Sequence, residues 1–374
     1  MNRRISLEMK ARLMEKCISW LKCNGPKQEE TKDVEKKEAT SSSSSQTTSS
    51  SNVSAAAAAA AIADSPIGSV EFTTDSNGLE KVILRGPRRS SAEVLLYGGQ
   101  VLSWKNKLGE ELLFVSTKAV FAPPKPIRGG IPICFPQFLN NGMIERHGFV
   151  RTRFWRIDLD PPPLPTAAPC SSYIDLILDE QDRWTWPHKY EFRHRVALGY
   201  EGELRLTSRI RNIRPSGKPF SFTFAYLPYL FVSDISEVRV EGVETLNYLD
   251  HLQEKERITE QADAITFESE VDKVYVLTPT KIAILDHERK KTIELRKDGL
   301  LDAVVWNPWD KKAKAIEDLG NQDYKKMVCV GAAAIENYIT LKPGEEWKGR
   351  MELNFVPSSY CSGQLDPQKA LLGV

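Results

Sequence analysis

The sequence lacks the residue patterns of a structural zinc site. Its 374 residues include six cysteines and five histidines, and no two cysteines form a CxxC pair. Structural zinc sites need closely spaced cysteine and histidine ligands, so we expect no structural zinc site in this chain. Scattered cysteines and the absence of a signal peptide are typical of a reducing compartment with free thiols, which favours a cytoplasmic protein.

The chain also lacks net charge and long apolar runs. Its 51 basic and 50 acidic residues leave a net charge of +1, which creates no overall field to attract nucleic acid or a membrane surface. No apolar run is long enough to span a bilayer. Hydrophobic residues make up 41% of the chain, enough for a sizeable core. We expect a globular protein, and any anionic ligand must be bound locally.

The first 67 residues differ in composition from the rest of the chain. Apolar residues recur every fourth position in 1–23, among mostly basic neighbours, which predicts a basic amphipathic helix or, alternatively, a frayed basic tail. Residues 24–67 are charged and then rich in Ser, Thr and Ala, which is typical of a disordered linker. The Ser-rich part leaves a plastid transit peptide open, although its acidic residues argue against one.

Short β-like runs dominate from residue 68 onward. They include KVILR, AEVLLYGGQVLSW, SYIDLIL and ELRLTSRIRNI, the last with Leu204, Leu206, Ser208 and Ile210 on one face. The clearest helical signal is DKKAKAIEDLG, which ends in a plausible C-terminal glycine. The pattern predicts an all-β domain over 68–360, a large antiparallel β-sandwich with few short helices, followed by a tail over 361–374.

One strand carries an unexpected proline. FAYLPYLFVSDI, residues 224–235, alternates like a half-buried strand, yet Pro228 lies in its middle. Proline donates no ladder hydrogen bond, so it belongs on edge strands, at bulges or at strand ends. Either this strand is an edge, or the substitution lies where a strand meets something important.

Two further segments concentrate positive charge. In PPKPIRGGIPICFPQF, Arg128 precedes two glycines that let the backbone turn tightly, which suits an oxyanion clamp or, more simply, a structural turn. ERHGFVRTRFW adds Arg146, His147 and Arg151. As a strand, this segment would place His147, Phe149, Arg151 and Arg153 on one face. The cluster is suited to a phosphate, whereas Arg153 and Arg156 alone favour a solvated strand face.

Read together, these segments resemble the hexose-6-phosphate mutarotases, or glucose-6-phosphate 1-epimerases, of the aldose 1-epimerase superfamily. The resemblance covers about residues 75–368 and is closest to the plant branch. It is carried by YGGQVLSW, ELLF, KPIRGGIPICFPQF, HGFVR, FESEVDKVY, DAVVWNPW and VPSSYCSGQLDP. It implies a galactose-mutarotase-type β-sandwich, a hexose 6-phosphate such as glucose 6-phosphate as substrate, and no metal or cofactor. We also expect a monomer.

The family reaction interconverts the α and β anomers. A base takes the proton of the C1 hydroxyl while an acid protonates the ring oxygen, and after ring opening and rotation the roles reverse. The resemblance implies that Arg128 and Arg151 bind the phosphate beside His147, and that Asp272 binds a sugar hydroxyl. Arg146 replaces a family glutamine in this cluster.

The same comparison finds the catalytic positions changed. The family's FAxHTY segment reads Phe-Ala-Tyr-Leu-Pro-Tyr here, so the acid position holds Leu227. The CVEA segment reads Cys-Val-Gly-Ala, so the base position holds Gly331. Neither residue can transfer a proton, and a positioned acid or base contributes about 10²- to 10⁴-fold each. The residues that could substitute are Glu145, His194, His251, Asp302 and Glu336, none of which the sequence positions.

Three hypotheses about function follow. The first is a non-catalytic relative that keeps a sugar-phosphate site and acts as a binding or regulatory protein. The second is an active 1-epimerase that uses displaced acid and base groups. The third is a degenerate sandwich that acts as an interaction module through its surface or its N-terminal tail.

Overall fold

A computed structural model describes residues 68–140, 144–163, 169–179, 185–214 and 217–357. The helix predicted over 1–23, the linker over 24–67 and the tail over 361–374 lie outside these residues. They and the domain boundary at residue 360 stay predictions.

Antiparallel strands are the predominant regular structure of the described chain. In chain order they are β1 (Ser69–Thr74), β2 (Glu80–Arg85), β3 (Ser91–Leu95), β4 (Val101–Lys105), β5 (Ile133–Cys134), β6 (Arg156–Ile157), β7 (Ser172–Asp179), β8 (Tyr190–Leu198), β9 (Leu204–Asn212), β10 (Phe220–Tyr226), β11 (Tyr229–Phe231), β12 (Val238–Glu241), β13 (Asn247–Asp250), β14 (Glu256–Thr259), β15 (Val271–Tyr275), β16 (Lys281–Asp286), β17 (Lys291–Asp298), β18 (Asp302–Asn307), β19 (Met327–Leu341) and β20 (Glu346–Pro357). The helical elements are α1 (Trp309–Ala315) and 3-10 turns at Val150–Thr152, Ile235–Glu237 and Asp323–Lys326.

The strands form two large sheets and one small one. The first large sheet has the order β14-β13-β15-β18-β19-β10-β5, with β11 also paired to β19. The second has the order β12-β16-β17-β20-β9-β8-β7-β6, and β1 to β4 form a four-stranded meander. Aromatic contacts join the large sheets, with the Phe224 ring 4.9 Å from that of Trp347 and 6.1 Å from that of Phe192. The predicted antiparallel β-sandwich is confirmed.

The alternation in β9 shows why these segments become strands. Leu204, Leu206, Ser208 and Ile210 are all fully buried, as their period of two predicts. On the opposite face Arg209 forms an ion pair with Glu346, with Nε and Oε1 2.8 Å apart. The apolar side of β9 therefore faces the first large sheet and the charged side faces outward.

The predicted helix is shorter than its sequence signal. α1 ends at Ala315, and Ile316 takes an extended conformation with φ −97° and ψ 110°, so Gly320 does not cap the helix. The early end lets Leu319 become fully buried and places Asp318 against Arg128. The prediction of a helix ending at the glycine was wrong because tertiary contacts outweigh local helix propensity here.

One buried histidine predicts how stability depends on pH. His194 lies between the large sheets, 3.2 Å from the Ser208 hydroxyl through Nδ1, and burial lowers its pKa to about 3. The unfolded chain takes up a proton near the ordinary value of about 6.5. Stability from neutral His194 is therefore complete above about pH 6.5 and is lost as the pH falls toward 3.

Urea unfolding between pH 7 and pH 5 checks this expectation. We expect the free energy of unfolding to fall more steeply with decreasing pH in the wild type than in His194→Phe, which keeps a ring but cannot titrate. His188→Asn, at a half-buried histidine whose pKa burial also lowers, serves as the control and should reduce the slope less than His194→Phe does. Equal slopes for the wild type and His194→Phe would contradict the assignment.

Candidate functional site

A row of side chains crosses four strands of the first large sheet. Tyr229 is paired with Cys329, Cys329 with Trp306, and Trp306 with Asp272. Directly opposed residues of antiparallel strands project to the same face, so these four side chains share one face. It is the face opposite Tyr226, whose hydroxyl donates to Ser208 between the sheets at 2.7 Å. We call this row the cleft floor.

Pro228 interrupts one strand of this floor. β10 ends at Tyr226 and β11 begins at Tyr229, while both remain paired with β19. On the other side the Leu227 N–H donates to the Pro132 carbonyl at 3.1 Å, and the Tyr229 N–H donates to the Gly130 carbonyl at 2.8 Å. Pro228 therefore lies at a break between paired strands. The alternative that this strand is a sheet edge was wrong.

Leu227 and Gly331 face each other across this break. Leu227 is only 8% exposed, and its Cδ2 lies 3.2 Å from where a Cβ on Gly331 would be. The same hypothetical Cβ would overlap the main-chain carbonyl oxygen of Tyr226. The two positions that the resemblance aligns with acid and base are thus adjacent, and the backbone beside Leu227 leaves no room for a side chain at 331.

Gly331→Ala should therefore destabilise the domain. Because the obstructing atom is a main-chain carbonyl, the strand must shift, and overpacking of this kind costs about 1–3 kcal/mol. Gly217→Ala is the matched control, since the three nearest atoms that a Cβ there would meet are side-chain atoms of the exposed Arg214 and not main-chain atoms. We expect the control to stay within about 0.5 kcal/mol of the wild type in urea unfolding. An equally small change for Gly331→Ala would show that β10 can shift to accommodate a Cβ at 331 at little cost in stability.

Arg128 lies beside the floor with its guanidinium already engaged. Its Nε and Nη2 donate to Asp318 Oδ1 at 3.1 and 3.0 Å, and Nη1 donates to the Tyr229 hydroxyl at 3.1 Å. Contacts with Tyr229 and Asp318 raise the pKa of Arg128 above its ordinary value. Tyr229 thus connects Arg128 to the floor.

The segment around His147 is a turn and not the predicted strand. His147 and Gly148 have φ of 64° and 71°, and residues Val150–Thr152 form a 3-10 turn. A Cβ on Gly148 would overlap the Phe135 carbonyl, so the close approach of these two segments requires glycine. The expected common face of His147, Phe149, Arg151 and Arg153 was therefore wrong, because alternation of side chains requires extended backbone.

This turn nevertheless brings positive charge together. Burial and the nearby positive charge of Arg128 lower the pKa of Arg151. Arg151 Nη2 donates to the Arg146 carbonyl at 2.6 Å, whereas its buried Nε has no hydrogen-bond partner in the described chain. Burial, Arg151 and Arg146 hold the pKa of His147 well below its usual range. The positive charges of Arg146 and Arg151 therefore lie beside a histidine that stays neutral. This concentration of positive charge favours the binding of an anion.

Asp272 and Arg146 meet at a cavity of about 380 Å³. His251 also lines it, and its Nδ1 lies 3.0 Å from Asp272 Oδ1. The ring of Phe138 is near those of both histidines, with centroids 5.2 Å from His147 and 6.2 Å from His251. Asp272 therefore lines this cavity and is paired there with a histidine.

Most of the other substitute residues are engaged elsewhere. His194 lies on β8 of the second large sheet and packs against Tyr226 between the two sheets. Asp302 accepts hydrogen bonds from the N–H groups of Leu277, Ile335 and Glu336. Glu336 forms an ion pair with Arg257 on β14. Glu145 is exposed and accepts from the Thr152 hydroxyl at 3.3 Å.

Sequence reasoning missed Asp318 and Tyr229. Asp318 lies 190 residues from Arg128 in the chain, so no local pattern relates them. Tyr229 stands within the quoted FAYLPY segment, but its contact with Arg128 depends on how β11 packs against the loop before β5.

The chain is similar to known proteins over most of its length. The family model described as aldose 1-epimerase matches residues 80–354. This chain belongs to the aldose 1-epimerase family. Within the family, it is 64% identical over 310 residues to a proposed glucose-6-phosphate 1-epimerase of Cenchrus ciliaris, covering 82% of this chain and 94% of that protein. A proposed glucose-6-phosphate 1-epimerase of Escherichia coli K12 is 29% identical over 266 residues, covering 68% and 83% of the two chains.

Solved structures show the same aldose 1-epimerase fold. A proposed mutarotase from Salmonella typhimurium superimposes with a TM-score of 0.67 at 22% identity, covering 78% of this chain and 95% of that one. Galactose 1-epimerase from Lactobacillus acidophilus gives a TM-score of 0.58 at 13% identity, covering 79% and 100%. At these identities the likeness concerns the fold alone.

The described residues contain neither a candidate metal cluster nor a helix that could span a membrane. Within the described ranges, no cluster of three or more His, Cys, Asp or Glu side chains could hold a metal ion. Among those same residues, no helix is sufficiently long and apolar to span a bilayer. The absence of a metal or cofactor stays a prediction.

Proposed function

We propose that this member of the aldose 1-epimerase family binds a hexose 6-phosphate, such as glucose 6-phosphate, and interconverts its anomers slowly or not at all. The observation that supports this is the placement of Arg128 and Arg151 beside a floor on which Leu227 faces Gly331. The cations suit a phosphate, whereas the two facing residues have no titratable group. The protein would then act through binding, as a regulatory or carrier protein in the cytoplasm.

The cleft offers groups for both ends of such a ligand. Arginines bind phosphate well because their N–H groups match its oxygens and remain charged. The buried, unpartnered Nε of Arg151 is a donor that a phosphate oxygen could satisfy. The half-buried Trp306 ring and the Asp272 carboxylate are suited to the faces and hydroxyls of a sugar.

Two measurements on the full chain test the proposal. Isothermal titration with glucose 6-phosphate should show saturable binding, and glucose without phosphate should bind much more weakly. Magnetization-exchange NMR on the anomers should give a rate far below that of a relative with histidine and glutamate at the two positions. Failure to bind any hexose 6-phosphate would exclude the proposal.

A second candidate is anomer exchange through displaced groups. One observation favours it: His251 is held by Asp272 inside the same cavity as Arg146. Of the five residues that could substitute, it is the one that shares a cavity with Asp272.

A further inference from the structure

His251 and Asp272 form a fixed pair in the 380 Å³ cavity that Arg146 also lines. Their side chains are 3.0 Å apart, and the His251 main-chain N–H donates to the Asp272 carbonyl at 2.9 Å. The double connection links the end of β13 to β15 and fixes the ring relative to the floor. Both side chains are shielded, with 8% and 18% of their surfaces exposed.

The pairing determines which ring nitrogen can react. An ionised carboxylate only accepts hydrogen bonds, so Nδ1 of His251 carries the hydrogen and Nε2 carries the lone pair. Nε2 makes no hydrogen bond to any other part of the described chain, and the residue lines the 380 Å³ cavity. A carboxylate that orients a histidine in this way is a recurring arrangement for general base catalysis.

We propose that His251, oriented by Asp272, is a displaced proton-transfer residue that gives this chain a residual anomer-exchange activity. The inference rests on the proposed function, because it requires a hexose 6-phosphate in the cleft. His251 would be the catalytic residue and Asp272 the positioning residue. The activity would be slow because His251 alone replaces a positioned acid and a positioned base.

In this reaction His251 is the base and a water molecule is the acid. Nε2 takes the proton of the C1 hydroxyl, the O–H electron pair becomes the second C1–O bond, and the bond from C1 to the ring oxygen breaks. A water molecule gives its proton to the ring oxygen, and the resulting hydroxide takes the proton from His251. After rotation about the C1–C2 bond, the same transfers in reverse close the ring as the other anomer.

Charged groups from several elements line the cavity with His251. They are Asp272 and Glu270 at β15, Arg146 in the turn before Val150, Lys312 on α1, and Glu254 and Lys255 after β13. Lys312 and Asp272 both act on Glu270, whose pKa is raised chiefly by burial. Charges of both signs therefore surround the cavity. Of these groups, the Asp272 carboxylate is in direct contact with the His251 ring.

Magnetization-exchange NMR on glucose 6-phosphate with full-length variants tests the assignment. We expect the wild-type rate to exceed the buffer blank and to rise with pH through a single ionisation. His251→Asn should lower the catalysed rate by about 10²-fold, the low end for a positioned base, and remove that pH step. Asp272→Asn should also lower the rate and displace the step, because the ring loses the partner that fixes its tautomer.

Controls separate this inference from the proposed function. His188→Asn changes a histidine that packs on Trp186 and Phe220, and it should keep the wild-type rate and pH profile. Titration of each variant with glucose 6-phosphate reports binding independently of exchange. Binding without exchange above the blank, or an unchanged rate in His251→Asn, would overturn the role of His251 and leave the proposed function standing. Absence of binding in the wild type would overturn both.

Discussion

Arg128→Ala combined with Arg151→Ala should abolish measurable binding of glucose 6-phosphate. A hydrogen bond to a charged group contributes about 1.5–3 kcal/mol, so the loss of two such donors should weaken binding by about 10²- to 10⁴-fold. Arg151 should account for much of the loss, because its Nε has no competing partner within the described chain. Arg128 must share its guanidinium with Asp318. Isothermal titration measures the change directly.

The control for this pair is a surface arginine of the same domain. Arg85→Ala removes a guanidinium that pairs with Glu71 on the outer meander, and it should leave affinity unchanged. Arg128→Ala also leaves Asp318 without its partner, so unfolding curves must show that the double variant is folded. A folded double variant that binds glucose 6-phosphate like the wild type would place the phosphate elsewhere.

Leu227→His, Pro228→Thr and Gly331→Glu together should raise anomer exchange by about 10²- to 10⁴-fold. Each positioned acid or base contributes about 10²- to 10⁴-fold, and the two groups act together, so their contributions do not simply multiply. The structure adds a condition, because a side chain at 331 would overlap the Tyr226 carbonyl. Gly331→Glu alone should therefore be destabilised and inactive, whereas Pro228→Thr restores a main-chain N–H with which the strand can re-pair.

The matched control is the triple variant Leu227→Gln, Pro228→Thr and Gly331→Gln. It fills similar space and restores the same N–H group, but it cannot transfer protons. We expect it to bind glucose 6-phosphate without faster exchange. If the histidine and glutamate variant binds its ligand and is no faster than this control, the cleft does not hold the sugar as the family reaction requires.

The sequence predicted the strands well because their signal is local. A period of two, as in Leu204, Leu206, Ser208 and Ile210, requires only that one face of a strand be buried. The sequence-based predictions failed at Gly320 and around His147 because the structure there depends on contacts with distant segments. The end of α1 depends on Asp318 reaching Arg128, and the turn at His147 depends on Gly148 packing against the Phe135 carbonyl.

By itself, the sequence determined the family resemblance, the sandwich fold and the two positions without a titratable group, because residue types at fixed spacings carry that information. Only the tertiary structure decided that Leu227 faces Gly331 across a paired break, that Asp318 engages Arg128, and that His251 is held by Asp272. Each of these contacts joins residues from different strands or loops. Their distances are set by how the sheet folds and packs, which no local pattern in the chain encodes.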